Sequence, residues 1–486
     1  MSTSAGPAGL SKKEIALLIV ALASGACSKS RVPQSDSGID SGLPSKLGFS
    51  KCIEDWPTAG GAHPTKLSLA VDAPKLAWRL DLQTNSSSSF GLSDGGPVLS
   101  KNRVVVQAGE LIYFLNKDGT KSEQVKYNAI AAYPSGLAAD LDGNIYYVCD
   151  DGVYSVDANG GLRWNRAFAT HPGAEFSYYH PAVLGPDDVL YAVTSTDQVC
   201  ALRTKDGGII WCQSPPSDTR VTSQVLGGAG KGLFVLVGDQ RIDVLDTRTG
   251  ESIGTLVVSI DGKIVAFTAQ WGGWALGWTF GIAIGDAFVL DTCGNLRWSN
   301  WSKDPSTSGG AGIIAAGELL TAATSTRIGS AWVTTSGRLL NADGSVAAST
   351  TQFEGQAIAA GADGTIYTYR CEDATPAVNR ILAYSPDLKE LWRFDLGGEY
   401  CRTIIGNVLL DDDGMMYMKR QNDSYSTEVI AIQTRSPGLA DSSWPSWRHD
   451  NRGTAWLVPV AAGFTTSEDA DVSGAADAPV ESVDSD

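Results

Sequence analysis

From about Pro74 to Arg435 the chain alternates short apolar runs with polar turns, and the turns recur at matching points. Asp142-Gly143 precedes Ile145-Tyr146-Tyr147-Val148, and Asp187-Asp188 precedes Val189-Leu190-Tyr191-Ala192. Asp363-Gly364 stands before Ile366-Tyr367-Thr368, and Asp413-Gly414 before Met415-Met416-Tyr417-Met418. Asp-Gly between β-rich runs marks a hairpin, because Gly accepts positive φ without steric cost. Beyond the N-terminal region no stretch holds a helical period with caps, so the pattern predicts an all-β chain.

A second series has a larger period. Gly-containing turns lead into short strands ending in Trp: Asp157 to Trp164, Lys205 to Trp211, Asp291 to Trp298 and, with Pro386 in the turn, Ser385 to Trp392. Counting from Trp78, the Trp positions are separated by 86, 47, 87 and 94 residues. Three of these gaps are two periods of roughly 43 to 47 residues, a length typical of repeats holding four strands. The skipped positions show the turn without its Trp: Asp118-Gly119 leads to Val125, Thr249-Gly250 to Ile253 and Asp343-Gly344 to Val346. Four-stranded repeats of this length are propeller blades, which must stack on neighbours to bury both faces. Eight such units predict an eight-bladed β-propeller of four-stranded blades. Lys75-Leu-Ala-Trp78-Arg-Leu-Asp-Leu82 copies Leu391-Trp392-Arg-Phe-Asp-Leu396 but lacks the three strands that should precede it. Those three lie at about Ile404 to Gln433, so the N-terminal strand is expected to complete the last blade and close the ring.

The Trp strands resemble the bacterial PQQ-like β-propeller family, the quinoprotein-dehydrogenase fold, in which eight blades are usual. The flank Trp444-Pro445-Ser446-Trp447-Arg448-His449-Asp450-Asn451-Arg452-Gly453-Thr454 is similar to a segment adjoining many such propellers, and Asp55-Trp56-Pro57 resembles a degenerate copy of it. Quinoprotein alcohol dehydrogenases of that fold cover their quinone with a vicinal Cys-Cys ring and bind Ca²⁺ through Glu, Asn and Asp. No Cys-Cys dipeptide occurs in this chain, so neither quinone nor any other cofactor is expected. Fold alone does not assign function.

The N-terminus has the layout of an export signal. Lys12 and Lys13 precede the apolar stretch Ile15 to Ala23, and small residues lead into Cys27. Nine apolar residues rise about 14 Å as a helix, roughly half of a bilayer's hydrocarbon core. Leu22-Ala23-Ser24-Gly25-Ala26-Cys27 resembles a bacterial lipobox, with Ser24 where that box carries a branched apolar residue. The resemblance implies lipidation of Cys27 and outer-membrane sorting; cleavage after Ala26 leaving a thiol is the other outcome. The expected organisation is a signal peptide at 1–26, a lipidated Cys with a flexible tether at 27–54, the propeller with its flanks at 55–457 and a disordered acidic tail at 458–486. The Ser/Gly/Pro/Asp composition after Cys27 suits a leash.

Composition narrows the partners. The formal charge is −17, from 37 basic and 54 acidic side chains. Nucleic-acid binding needs the opposite footprint. Apart from Cys27, seven cysteines remain, and an oxidising compartment should pair some of them. Cys200 and Cys212 flank the turn Lys205-Asp206-Gly207-Gly208 symmetrically, which would set them opposite each other; Cys371 with Cys401 is the second pairing expected.

Candidate interaction residues fall in two places. His171, Tyr178, Tyr179 and His180 lie in a connection between the second and third units, which reads either as a site on a propeller face or as a Pro-rigidified loop. Trp271, Trp274 and Trp278 break the repeat pattern of the fifth unit, and read either as an interaction hot spot or as packing between blades. The acidic turns at Asp140 to Asn144 and Asp411 to Gly414 have the oxygens a hard cation wants, but lack the complete Ca²⁺ loop pattern; they read as hairpin turns, and no metal is expected. The functional expectation is a non-catalytic, monomeric propeller, lipid-anchored at a membrane, that binds a protein or another envelope component. A divergent quinone-dependent dehydrogenase and a surface adhesion or lectin-like propeller are the alternatives.

Overall fold

The computed structural model describes the chain between 73 and 457, apart from 83–95, 110, 127–135, 150–151, 169–181, 195–197, 215–222, 238–240, 373–376, 399–407, 422–425, 435, 441–445 and 447–449. Between 258 and 344 it describes the strands alone, as backbone except at 337–339. Every regular element among the described residues is a strand. The strands form four-stranded antiparallel sheets of the propeller kind, one of which gains Trp456–Leu457 as a fifth, parallel strand. In chain order the sheets open with Val98–Ser100, Ala138–Ala139, Val183–Leu184, Ser223–Ala229, Phe267–Gln270, Thr307–Ala315, Gln356–Ala360 and Leu409–Leu410, and are called sheets 1 to 8. Between Phe267–Gln270 and its preceding sheet lies Lys263–Ile264, which pairs with Thr279–Phe280 as a separate two-stranded ribbon.

Sheets 1 to 7 take their fourth strand from the same repeat, whereas sheet 8 takes it from the other end of the chain. Lys75–Leu82 runs antiparallel to Thr427–Gln433, with Leu80 opposite Val429 and Asp81 opposite Glu428. The added strand also carries a backbone irregularity shared by the other fourth strands. Trp78 is opposite Ala431 while Leu76 is opposite Ile432, so one extra residue bulges out just before the Trp. The same slip precedes Trp164, Trp211, Trp298 and Trp392. A bulge of this kind re-aims the side chain that follows it. It also corrects the sequence alignment of the units without Trp. Glu123, Gly254 and Ala348 occupy the Trp register, rather than Val125, Ile253 and Val346, because a bulge shifts the register where no Trp marks it.

The core lies between sheets rather than within them. Phe114 and Ile112 of sheet 1 pack with Ile145 and Tyr147 of sheet 2. Tyr146 and Val153 of sheet 2 meet Leu190 and Leu202 of sheet 3. Sheet 8 packs Met416, Met418, Ile430 and Ile432 on sheet 7. Through its opposite face, Leu82, Tyr417 and Val429 pack on Val104, Val106 and Leu115 of sheet 1. The alternation of the strands supplies these two apolar faces.

Trp164 and Trp211, on the fourth strands of sheets 2 and 3, each bridge to the next sheet. The indole N–H of Trp164 donates to the Thr204 carbonyl at 2.8 Å, and that of Trp211 to the Thr247 carbonyl at 2.9 Å. The ring lies on a turn glycine of that sheet. A Cβ at Gly207, where φ is +67°, would stand 2.6 Å from the Trp164 ring. Glycine therefore serves twice here, for the left-handed turn and for the close approach.

Candidate functional site

The first strand of each sheet pairs with the second along one edge, which leaves its other edge needing partners. On sheets 1 to 4 and on sheet 8 the segment 450–457 supplies them. The N–H of Leu99 donates to the Asn451 carbonyl at 2.7 Å, that of Ala139 to Arg452 at 2.9 Å, that of Leu184 to Thr454 at 3.0 Å and that of Gly228 to Ala455 at 3.1 Å. Asn451 turns its side chain to sheet 8, accepting from the Leu410 N–H at 2.9 Å and donating to the Leu410 carbonyl at 2.7 Å. Upstream, Ala440 N–H donates to the Ala360 carbonyl of sheet 7 at 2.8 Å, and Ser446 bridges Ala359. One short stretch thus crosses the first strands of six sheets in order, a strap laid across the array.

Local chemistry explains why this stretch does not form a regular strand. The Asp450 carboxylate accepts from the backbone N–H of Arg452 at 3.1 Å and of Thr454 at 3.0 Å, and pairs with the Arg452 guanidinium at 3.1 Å. Asp favours such turns because its short side chain reaches its own backbone. Gly453 and Ala455 both have positive φ, at 65° and 52°. The left-handed Ala455 costs about 1 kcal/mol or more, and its persistence means the surroundings hold it. It directs Trp456 inward, where the residue is only 2% exposed. The Trp456 ring stacks on Tyr191 with centroids 5.4 Å apart, and a Cβ at Gly228 would stand 2.2 Å from it. Trp456–Leu457 then pairs in parallel with Gly228 and Ala229 of sheet 4.

The acidic turns spend their oxygens within the protein. Asp140 accepts from the Asn144 N–H at 2.8 Å and the Tyr146 hydroxyl at 2.7 Å. Asp411 accepts from the N–H groups of Asp413 and Met415 and from the Tyr417 hydroxyl, and it pairs with Lys117 at 2.8 Å. Burial works to depress the Lys117 ammonium, but its hydrogen bonds to Asp411 and Asp413 outweigh that and raise it. Burial and the neighbouring Asp411 likewise push the Tyr417 phenol up. These carboxylates pin hairpins and sheet contacts. Among the described residues no group of three His, Cys, Asp or Glu side chains is arranged to hold a metal.

Of the residues singled out in the sequence, Cys200 and Cys212 face each other across two strands of sheet 3 and are joined as a disulfide, with Cα atoms 4.1 Å apart. Cys371 is disulfide-bonded, and Cys401 lies outside the described residues. Trp274 sits on the strand Gly273–Gly277, opposite Ala269 and Leu290. Cys27, His171, Tyr178, Tyr179, His180, Trp271 and Trp278 lie outside the described residues. The strap itself escaped the sequence reading. The flank was visible as a motif, but its partners are backbone N–H groups, which leave no mark on side-chain patterns.

Residues 149–343 match the model of a repeat family described as outer membrane protein assembly factor BamB. No curated protein matches the chain. Among solved structures, Sqt1 from Saccharomyces cerevisiae is similar with a TM-score of 0.51 at 10% identity, over 74% of this chain and 99% of that one. BamB from Moraxella catarrhalis is similar with a TM-score of 0.35 at 13% identity, over 74% of this chain and 100% of that one. A europium-containing methanol dehydrogenase has a TM-score of 0.47 at 13% identity, over 74% and 93%.

Proposed function

We propose, from the PQQ-like repeats matched over residues 149–343, that the chain is a non-catalytic envelope lipoprotein whose propeller is a binding platform for a protein or another envelope component. In this reading the eight sheets are blades of one ring, closed by Lys75–Leu82, and their first strands line the central channel. Residues 1–26 are a signal peptide, Cys27 carries the lipid and 28–54 is the tether. The propeller occupies 55–457, and the acidic tail 458–486 trails from it.

The observation that carries the reading is the strap. The inner edge of a propeller is where a ligand in the channel would find backbone donors, and here Leu99, Ala139, Leu184 and Gly228 give theirs to the chain's own carbonyls. The surfaces left for recognition are the faces and the rim. The rim offers apolar side chains on the fourth strands of sheets 2, 3, 6 and 8: Leu162, Ile209, Ile210, Val346 and Leu76 are exposed. The description attached to the matching repeat family supports an envelope location, as does the export signal in the sequence.

Two measurements test this. Radiolabelled palmitate should enter the wild-type protein and not Cys27→Ser; equal labelling removes the lipoprotein claim. Pyrroloquinoline quinone with Ca²⁺ should show no binding at micromolar cofactor; bound quinone together with dye reduction on alcohols or sugars would replace the platform reading with a dehydrogenase. Cross-linking in intact envelopes, followed by mass spectrometry of adducts on the rim, identifies the partner.

A further inference from the structure

We infer that the ring is latched by a reciprocal exchange of chain ends, with Asn451 as the latch residue across the seam; the inference rests on the ring reading above. The seam is the ladder between Lys75–Leu82 and Thr427–Gln433, because there the last repeat meets a strand that belongs to the beginning of the chain. The N-terminal end thus completes the last sheet. The C-terminal end does the converse. Everything the strap touches on sheets 1 to 4 lies on the far side of the seam from the repeat that precedes it, so each of its four backbone hydrogen bonds there ties the end of the chain to the first half.

Asn451 stands at the crossing point. Its amide holds both backbone groups of Leu410, on the C-terminal side of the seam, while its own carbonyl accepts from Leu99 on the N-terminal side. No other amino acid offers an amide of this length: Asp has no N–H for the Leu410 carbonyl and Gln is one methylene longer. Farther out, Lys117 of sheet 1 grips Asp411 and Asp413 of sheet 8 at 2.8 and 2.7 Å, and Trp78 lies against Tyr417 with centroids 6.0 Å apart. The seam is therefore bound at the channel, at the turn face and at the rim by separate groups. Trp456, wedged between sheets 3 and 4, anchors the distal end of the strap so that Asn451 cannot slide out.

Hydrogen exchange on the full chain tests the latch by comparing wild type with Asn451→Ala and Trp456→Ala. Lys75–Leu82 is read against Val378–Tyr384, which 451–456 does not touch. Losing the two hydrogen bonds of the Asn451 amide should speed exchange at Lys75–Leu82 roughly ten- to thirtyfold, with Val378–Tyr384 unchanged. Trp456→Ala should speed the same strand by releasing the strap's anchor. Unchanged exchange at Lys75–Leu82 in both variants overturns the latch. Acceleration of equal size in both segments overturns it too, since that is loss of global stability. A wild-type Lys75–Leu82 without protection overturns the ring reading itself, which is a different failure and is visible before any variant is made.

Discussion

The indole N–H of Trp78 donates to the backbone carbonyl of Lys117 at 2.8 Å, repeating at sheet 8 the geometry that Trp164 and Trp211 adopt toward their neighbours. Its ring likewise lies over Gly119, where a Cβ would stand 2.7 Å away. A strand that comes from the opposite end of the chain is thus docked by the same three groups as a strand from within its own repeat. Trp78→Ala should cost about 3 kcal/mol of unfolding free energy, and Trp164→Ala a similar amount. Urea denaturation followed by far-ultraviolet circular dichroism checks both. A Trp78→Ala protein as stable as wild type would mean that the N-terminal strand contributes nothing to the fold.

At Gly207 two demands coincide, a φ of +67° and the Trp164 ring. Gly207→Ala should destabilise by about 2 to 4 kcal/mol, from the left-handed backbone and the displaced indole together. Gly207→Ala combined with Trp164→Ala should lose less than the sum of the two, because the steric part disappears with the ring. Additive losses would show that the ring contact does not matter.

Arg420 and Glu428, each 4% exposed, form an ion pair on neighbouring strands of sheet 8, and Arg79 joins it from the N-terminal strand at 3.0 Å. Both guanidiniums also reach the end of sheet 7: Arg79 and Arg420 donate to the Leu396 carbonyl and Arg420 to that of Gly397. Glu428→Ala would leave two cations facing each other with one buried, at a cost of about 3 to 5 kcal/mol. Arg420→Met with Glu428→Leu should be milder than Glu428→Ala, since no buried charge is then unpaired. Calorimetric melting of both variants separates the two outcomes.

Alkaline pH should loosen the fold at the interfaces of sheets 6, 7 and 8. Burial, opposed by hydrogen bonds with Thr434, Ser436 and Thr365, pushes the Tyr367 phenol up from 10.0 to about 12. Tyr384, buried beside Phe353, is also pushed up to about 12. The unfolded chain releases these protons near pH 10 and the folded one near 12, so the contribution is complete below 10 and is lost as pH rises from 10 to 12. Tyr367→Phe should flatten the fall of the denaturation midpoint across that window. An identical slope in the variant would assign alkaline sensitivity to other groups.

Legibility in the sequence followed the kind of interaction. Lys75–Leu82 could be assigned to the last sheet because it copies the Trp392 strand in residue type and order, and side-chain patterns repeat whenever the packing they serve repeats. Cys200 and Cys212 could be set opposite each other because symmetric spacing about a turn fixes cross-strand partners. The register of Glu123, Gly254 and Ala348 was not legible, since a one-residue bulge is invisible where no Trp marks it. The strap was not legible either. Asn451 and Arg452 stood out only as part of the Trp444 to Thr454 flank, and the N–H groups that their carbonyls accept from belong to the backbone.

What the sequence determined by itself is the repeat: hairpin turns, four strands per unit and the origin of the strand that completes sheet 8, all carried by local periodicity. What only the tertiary structure decided is how distant groups meet. Asn451 reaches Leu410 and Leu99, Lys117 reaches Asp411, and Arg79 meets Glu428 across most of the chain's length. Those contacts depend on where whole sheets come to rest against one another, and sequence separation carries no information about that distance.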